Sequence, residues 1–164
     1  MVYHFSPLAK PCVLLTVAAL AFVNASAATP EQKESLVKVT ATAGKIGDYG
    51  QQSVTITLHI PPDWHAYANP VQNEDLAANK TEVKIDAPTK LDGLKLNYPA
   101  GKRVTDKDIG SWHVYEGTIE IQASFKRTAG DTGPLKVAVT YCICNDLTQK
   151  CLPPETALLE VKSK

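Results

Sequence analysis

Val54-Thr55-Ile56-Thr57-Leu58-His59-Ile60 carries an apolar side chain at every second position until Pro61-Pro62-Asp63 stops it. A period of two fits a strand buried on one face and does not fit a helix. The pattern recurs at Val37, Val39 and Ala41, at Val83 and Ile85, and at Leu94, Leu96 and Tyr98. It returns at Ile119, Ile121, Ala123 and Phe125, then at Leu135, Val137, Val139 and Tyr141, and residues 157–161 finish the chain. Residues 64–68 add an extended piece, residues 99–110 read as a polar loop, and Gly, Pro and Asn punctuate the rest. No convincing helical period occurs. Seven or eight short strands with no helix to cover them must pack sheet on sheet. The expectation is an all-β, immunoglobulin-like antiparallel sandwich in a single domain, with a closed barrel as the alternative.

A chain of 164 residues suits one domain with a sizeable core, and no repeat or linker divides it. Formal charge is zero, without a basic stripe or a run of like charges. That argues against nucleic acid or an anionic membrane surface as the main partner. The start of the chain has a different character. Lys10, an apolar run over residues 13–23 and the small-residue site Ala25-Ser26-Ala27 form the three-part pattern of a secretory signal peptide. It covers residues 1–27, leaving residues 28–164 as the exported domain, and retention as an uncleaved anchor is the alternative. The run is short for a membrane span, and no second apolar stretch follows once the signal is removed. Cys12 precedes the run and would leave with it.

Export places the mature chain where disulfides persist. Its cysteines are Cys142, Cys144 and Cys151, an odd number concentrated in one hairpin. If Tyr141 and Ile143 face the core, Cys142 and Cys144 share the opposite, outer face unless a bulge intervenes, and the hairpin brings Cys151 back alongside. Three chemistries fit. A pair such as Cys144 and Cys151 could staple the hairpin, although so short a loop makes a crosslink worth only about 2.5 kcal/mol. An outward-facing bridge across a hairpin is open to an attacking thiolate. Cys142-x-Cys144 with Cys151 could bind Cu(I) or Zn(II), completed by His65 or His113, but the histidines lack ligand spacing of their own.

Further residues carry a resemblance. Pro61-Pro62-Asp63-Trp64-His65-Ala66-Tyr67-Ala68-Asn69-Pro70, Tyr98-Pro99-Ala100-Gly101 and Tyr115-Glu116-Gly117 occur in order. They are followed by Tyr141, Cys144-Asn145-Asp146 and Cys151-Leu152-Pro153-Pro154-Glu155-Thr156. Together, over residues 36–161, they closely resemble the amino-terminal periplasmic domain of the thiol:disulfide interchange protein DsbD. The resemblance implies an immunoglobulin-like sandwich whose hairpin cysteines, Cys144 and Cys151, cycle between dithiol and disulfide, with Cys151 forming the mixed disulfide. It implies electrons received from a membrane conduit and passed to thioredoxin-like periplasmic proteins, with no cofactor beyond the redox-active disulfide and no metal. His65 and Tyr67 fall where the family places aromatic residues flanking the cysteines. A cap loop shielding the sulfurs maps to residues 106–110, with Asp106 as its acidic residue.

Three departures stand out. The cap position that carries an aromatic ring in the best-known relative is Asp108 here, with Ile109 beside it. Six residues, one more than in that relative, separate Cys144 from Cys151. Cys142 is extra; it either acts as an auxiliary thiol that attacks the bridge or is a buried thiol beside a bulge. The membrane section and thioredoxin-like domain of the full family protein are absent from this sequence. The expectation is therefore a stand-alone carrier served by a separate membrane electron donor. A non-catalytic sandwich with a stapled hairpin is the alternative, followed by a copper or zinc binder.

Overall fold

A computed structural model describes residues 35–163. The signal segment and Cys12 lie outside the described residues. In chain order the strands are β1 (Lys38–Ala43), β2 (Gln51–His59), β3 (Trp64–Tyr67), β4 (Glu82–Asp86) and β5 (Asp92–Asn97). They continue as β6 (Lys102–Asp106), β7 (Gly110–Tyr115), β8 (Thr118–Lys126), β9 (Leu135–Tyr141), β10 (Ile143–Asn145) and β11 (Glu155–Val161). One short 3-10 helix, Glu74–Asn79, joins β3 to β4.

Every strand pairing is antiparallel, in three sheets ordered β1-β2-β8-β5, β10-β3-β7-β6 and β11-β9-β4. The alternation seen in the sequence decides which sides meet. β2 buries Val54, Ile56 and Leu58, and its partner β8 buries Ile121, Ala123 and Phe125. From the other layer, β9 buries Leu135, Val137, Val139 and Tyr141, and β4 buries Val83 and Ile85. Ala66, Tyr115 and Ile143 extend the same core beneath the sheet containing β10. Burial of each large aliphatic side chain contributes roughly 1.5–3 kcal/mol, so this seam supplies most of the driving force for folding. The result is the immunoglobulin-like sandwich expected.

Two details differ from the sequence reading. Residues 99–110 are not one loop, because β6 lies within them and forms a hairpin with β7, from Lys102↔Val114 to Asp106↔Gly110. The run through Tyr141 and Ile143 is also not one strand. β9 pairs with β11 as far as Glu155↔Tyr141, whereas β10 pairs with β3, so the chain changes sheets at Cys142. The change places the cysteine hairpin on a different sheet from the strand that leads into it.

Candidate functional site: a one-sided disulfide on a hairpin

The site begins with two register facts. β10 pairs with β3 so that Ile143 faces Ala66, Cys144 faces His65 and Asn145 faces Trp64. Directly opposed residues share a face, and faces alternate along a strand. Ala66, Tyr115 and Ile143 therefore enter the main core, while His65, Tyr67, Cys142 and Cys144 project from the other side, as parity predicted. That side is not open. A second cluster forms there from Tyr67, Val71, Cys142 and Cys144, with Leu76 and Trp112 packed against it. Cys142 is 5% exposed and Cys144 4%. The expectation of an open outer face is corrected for Cys144, which Val71, Leu76 and Trp112 cover, and Cys142 is the buried thiol that was one of its two alternatives.

The hairpin turn is held by Asn145. Its Oδ1 accepts from the backbone N–H groups of Leu147 (3.2 Å) and Thr148 (2.9 Å) and from the Thr148 hydroxyl (3.0 Å). The return leg is fixed by Asn145 N–H to Lys150 O and Leu152 N–H to Ile143 O, both 2.9 Å. These two bonds bracket the opposed pair Cys144↔Cys151, whose Cα atoms are 3.9 Å apart and whose sulfurs form a disulfide. Cys151 is exposed, so one sulfur of the bridge faces solvent while the other lies in the cluster.

Cys142 is the one free cysteine among the described residues. Its thiol donates to Leu152 O at 3.3 Å, and burial pushes its pKa up, which favours the unreactive protonated form. The Tyr67 hydroxyl lies 3.7 Å from Cys144 Sγ, where it can donate to the sulfur. Burial, and secondarily the nearby Cys142, raise the Tyr67 pKa. The Tyr67 ring meets His65 edge to face, with centroids 6.0 Å apart and planes at 80°. On its other side, His65 Nδ1 lies 2.6 Å from Asp146 Oδ1. Asp146 is a site residue to which the sequence reading gave no role beyond its place in the resemblance. Its position two residues beyond Cys144, hence on the same face, was the available signal.

Asp106, Asp108 and Ile109 lie at the tip of the β6–β7 hairpin. Asp106 Oδ1 accepts from the backbone N–H groups of Asp108 (2.8 Å) and Ile109 (3.1 Å), which lowers its pKa. Asp108 pairs with Lys107 at the surface, and Ile109 is 52% exposed and outside the cluster around the sulfurs. The tip is tied to the cover, because Asn73 Nδ2 donates to Ile109 O (3.1 Å) and Ser111 O (3.4 Å). Asn73 also caps the 3-10 helix that carries Leu76. Two of the three thiolates that a copper or zinc site would need are joined in the bridge. Among the described residues no group of three or more His, Cys, Asp or Glu side chains is arranged to hold a metal ion.

A sequence profile of the N-terminal domain of the thiol:disulfide interchange protein DsbD matches residues 32–163. A search of curated protein sequences finds no match. Among solved structures, the N-terminal periplasmic domain of ScsB from Proteus mirabilis is similar in fold, with a TM-score of 0.59 at 16% identity. That similarity covers 80% of this chain and 48% of the ScsB chain. The reduced DsbD N-terminal domain of Neisseria meningitidis aligns at a TM-score of 0.48 and 20% identity, covering 73% of this chain and 81% of that one. The complex between the DsbD and PilB N-terminal domains from the same organism aligns at 0.47 and 17%, covering 82% and 87%. With the profile spanning the whole of the described sandwich and its cysteine hairpin, this chain belongs to the family of the N-terminal domain of thiol:disulfide interchange protein DsbD.

Proposed function

We propose that this chain relays reducing equivalents by thiol–disulfide exchange at Cys144 and Cys151, between a separate membrane electron donor and thioredoxin-fold partners in the periplasm. The observation that carries the reading is the asymmetry of the bridge, with Cys151 exposed and Cys144 buried at 4%. Exchange proceeds by thiolate attack on one sulfur with departure of the other. An attacker from solvent reaches Cys151, forms a mixed disulfide there and leaves the electron pair on Cys144. In the reducing direction, the Cys151 thiolate attacks the disulfide of a partner. Cys144 then attacks Cys151, restoring the bridge and releasing the partner as a dithiol. Sulfur carries both electrons, so the step calls for no cofactor.

The flanking groups have roles in this scheme. Tyr67 supplies a hydrogen-bond donor to the buried sulfur. Cys142 is kept protonated by burial and does not compete with Cys144. The cover formed by Val71, Leu76 and Trp112 is what a docking partner displaces to uncover Cys144 during resolution, and the 106–110 tip, tied to it through Asn73, moves with it. Among the described residues no helix is long and apolar enough to cross a membrane.

The test is a trapping experiment in a Cys142→Ala background. Cys144→Ser leaves Cys151 without its resolving partner, and a thioredoxin-fold protein presented as its disulfide should accumulate as a mixed disulfide through Cys151. Cys151→Ser should trap nothing. A Cys144→Ser protein that folds and yet forms no such complex reduces the bridge to a hairpin staple.

A further inference from the structure

The hairpin delivers one group that neither the turn nor sulfur exchange alone accounts for. Asn145 holds the turn, whereas the Asp146 carboxylate reaches back across the sheet to His65 Nδ1 at 2.6 Å. Its backbone N–H is fixed to Asp63 O at 2.8 Å. His65 stands in register with Cys144, and directly opposed residues of an antiparallel pair have Cβ atoms about 4.5–5.5 Å apart on one face. Tyr67 closes the other side, its ring against His65 and its hydroxyl 3.7 Å from Cys144 Sγ. The His65 side chain is only 14% exposed. A carboxylate on Nδ1 selects the tautomer with its proton there and leaves Nε2 as the working nitrogen.

We propose that His65, oriented by Asp146, passes a proton to and from the Cys144 sulfur as the bridge opens and closes. This rests on the exchange reading above. A thiolate released at Cys144 would be desolvated and a poor leaving group. In the opening step an external thiolate bonds to Cys151 Sγ and the Cys144–Cys151 bond breaks. The electron pair goes to Cys144 Sγ, which takes the Nε2 proton of the His65 imidazolium, leaving neutral imidazole and a thiol. In the closing step neutral His65 removes that proton, and the Cys144 thiolate attacks Cys151 Sγ and expels the partner's sulfur as thiolate.

The ionisable groups facing this pair are few. Tyr67 and Asp63 come from β3 and its approach, Cys142 from the approach to β10, and Lys102 from β6, paired with Glu116 at 2.8 Å. Among side-chain types, imidazole is the one that changes protonation near neutrality, and burial favours the protonated thiol at Cys142. His113 on β7 leaves its strand on the face opposite Trp112 and Val114 and does not contribute.

The experiment is reduction of the intact oxidised protein by dithiothreitol over about pH 5.5–8.5, with each rate divided by the thiolate concentration of the reagent. The corrected wild-type rate should fall as pH rises and imidazolium is lost. Asp146→Asn and His65→Gln, checked for folding by circular dichroism, should flatten this dependence and slow the acid-side rate about tenfold or more. Asp146→Glu should restore part of it. A flat wild-type profile on a readily reduced bridge, or folded variants that keep the wild-type profile, overturns the proposal while leaving exchange intact. A wild-type bridge that opens only on unfolding sinks the exchange reading, and this one with it.

Discussion

Reducing the Cys144–Cys151 bridge should lower the stability of the fold by about 2.5 kcal/mol and no more. The two cysteines are 7 apart in sequence, so the crosslink closes a loop of eight residues. The loop-entropy relation gives about −8 cal/mol/K for that length, or about 2.5 kcal/mol at 25 °C. The structure gives reasons why the native side should add little to this figure. Asn145 N–H to Lys150 O and Leu152 N–H to Ile143 O hold the hairpin on both sides of the bridge. Cys144 packs with Tyr67 and Val71, contacts that breaking the S–S bond does not itself remove. For a sandwich of this size the loss corresponds to a fall in Tm of roughly 8–10 °C. Urea titrations of oxidised and reduced protein in a Cys142→Ala background measure it directly, with m rising slightly because the reduced unfolded chain exposes more surface. A loss beyond about 5 kcal/mol, or loss of cooperative unfolding, would make the bridge a structural pin of the kind whose removal cripples small exported domains. That result refutes the reasoning here, since a carrier must stay folded in both redox states.

In fully reduced protein, iodoacetamide should modify exposed Cys151 first and Cys142 last, because Cys142 is buried and burial raises its pKa, which lowers its thiolate fraction. Equal labelling rates by peptide mass spectrometry contradict the burial argument. Leu76→Ala should cost about 1–2 kcal/mol, less than a fully buried leucine, and speed reduction by dithiothreitol; an unchanged rate means the cover does not gate the site. Asp131 is held down to about 2 by the Thr89 hydroxyl, then the Gly133 N–H and Arg127. Its contribution is present above the ordinary carboxylate value and lost as pH falls toward about 2, so Asp131→Asn should flatten the acid limb of a stability–pH curve. At the alkaline end, Cys142 and Tyr67 are raised by burial. Their contribution is intact below the ordinary thiol and phenol values and lost as pH rises through the raised ones, so urea midpoints should drop above about pH 9, with the earliest part of the drop absent in Cys142→Ala.

What the sequence disclosed, and what it hid, follows from which forces are local. β2, β8 and β9 alternate cleanly because one face of each meets the core, and that pattern is written residue by residue. β6 escaped because Lys102-Arg103-Val104-Thr105-Asp106 lies at a sheet edge with one apolar side chain, so nothing in its pattern announces burial. Parity placed Cys142 and Cys144 on one face correctly, yet their enclosure depends on Val71, Leu76 and Trp112, which arrive from distant segments. The Asn145-Asp146 pair shows the same limit. Both are turn formers by type, and only the register against β3 shows that one shapes the turn while the other reaches His65.

The bonds flanking the bridge have a consequence for directionality. A hairpin that keeps its backbone when its sulfurs part presents nearly one docking silhouette, charged or discharged. Upstream and downstream proteins then compete for a common landing surface, and neither is turned away by contour. Traffic through such a junction runs according to the relative abundance and electron-donating strength of whoever lands, so the same hairpin would run backwards if its surroundings were reversed.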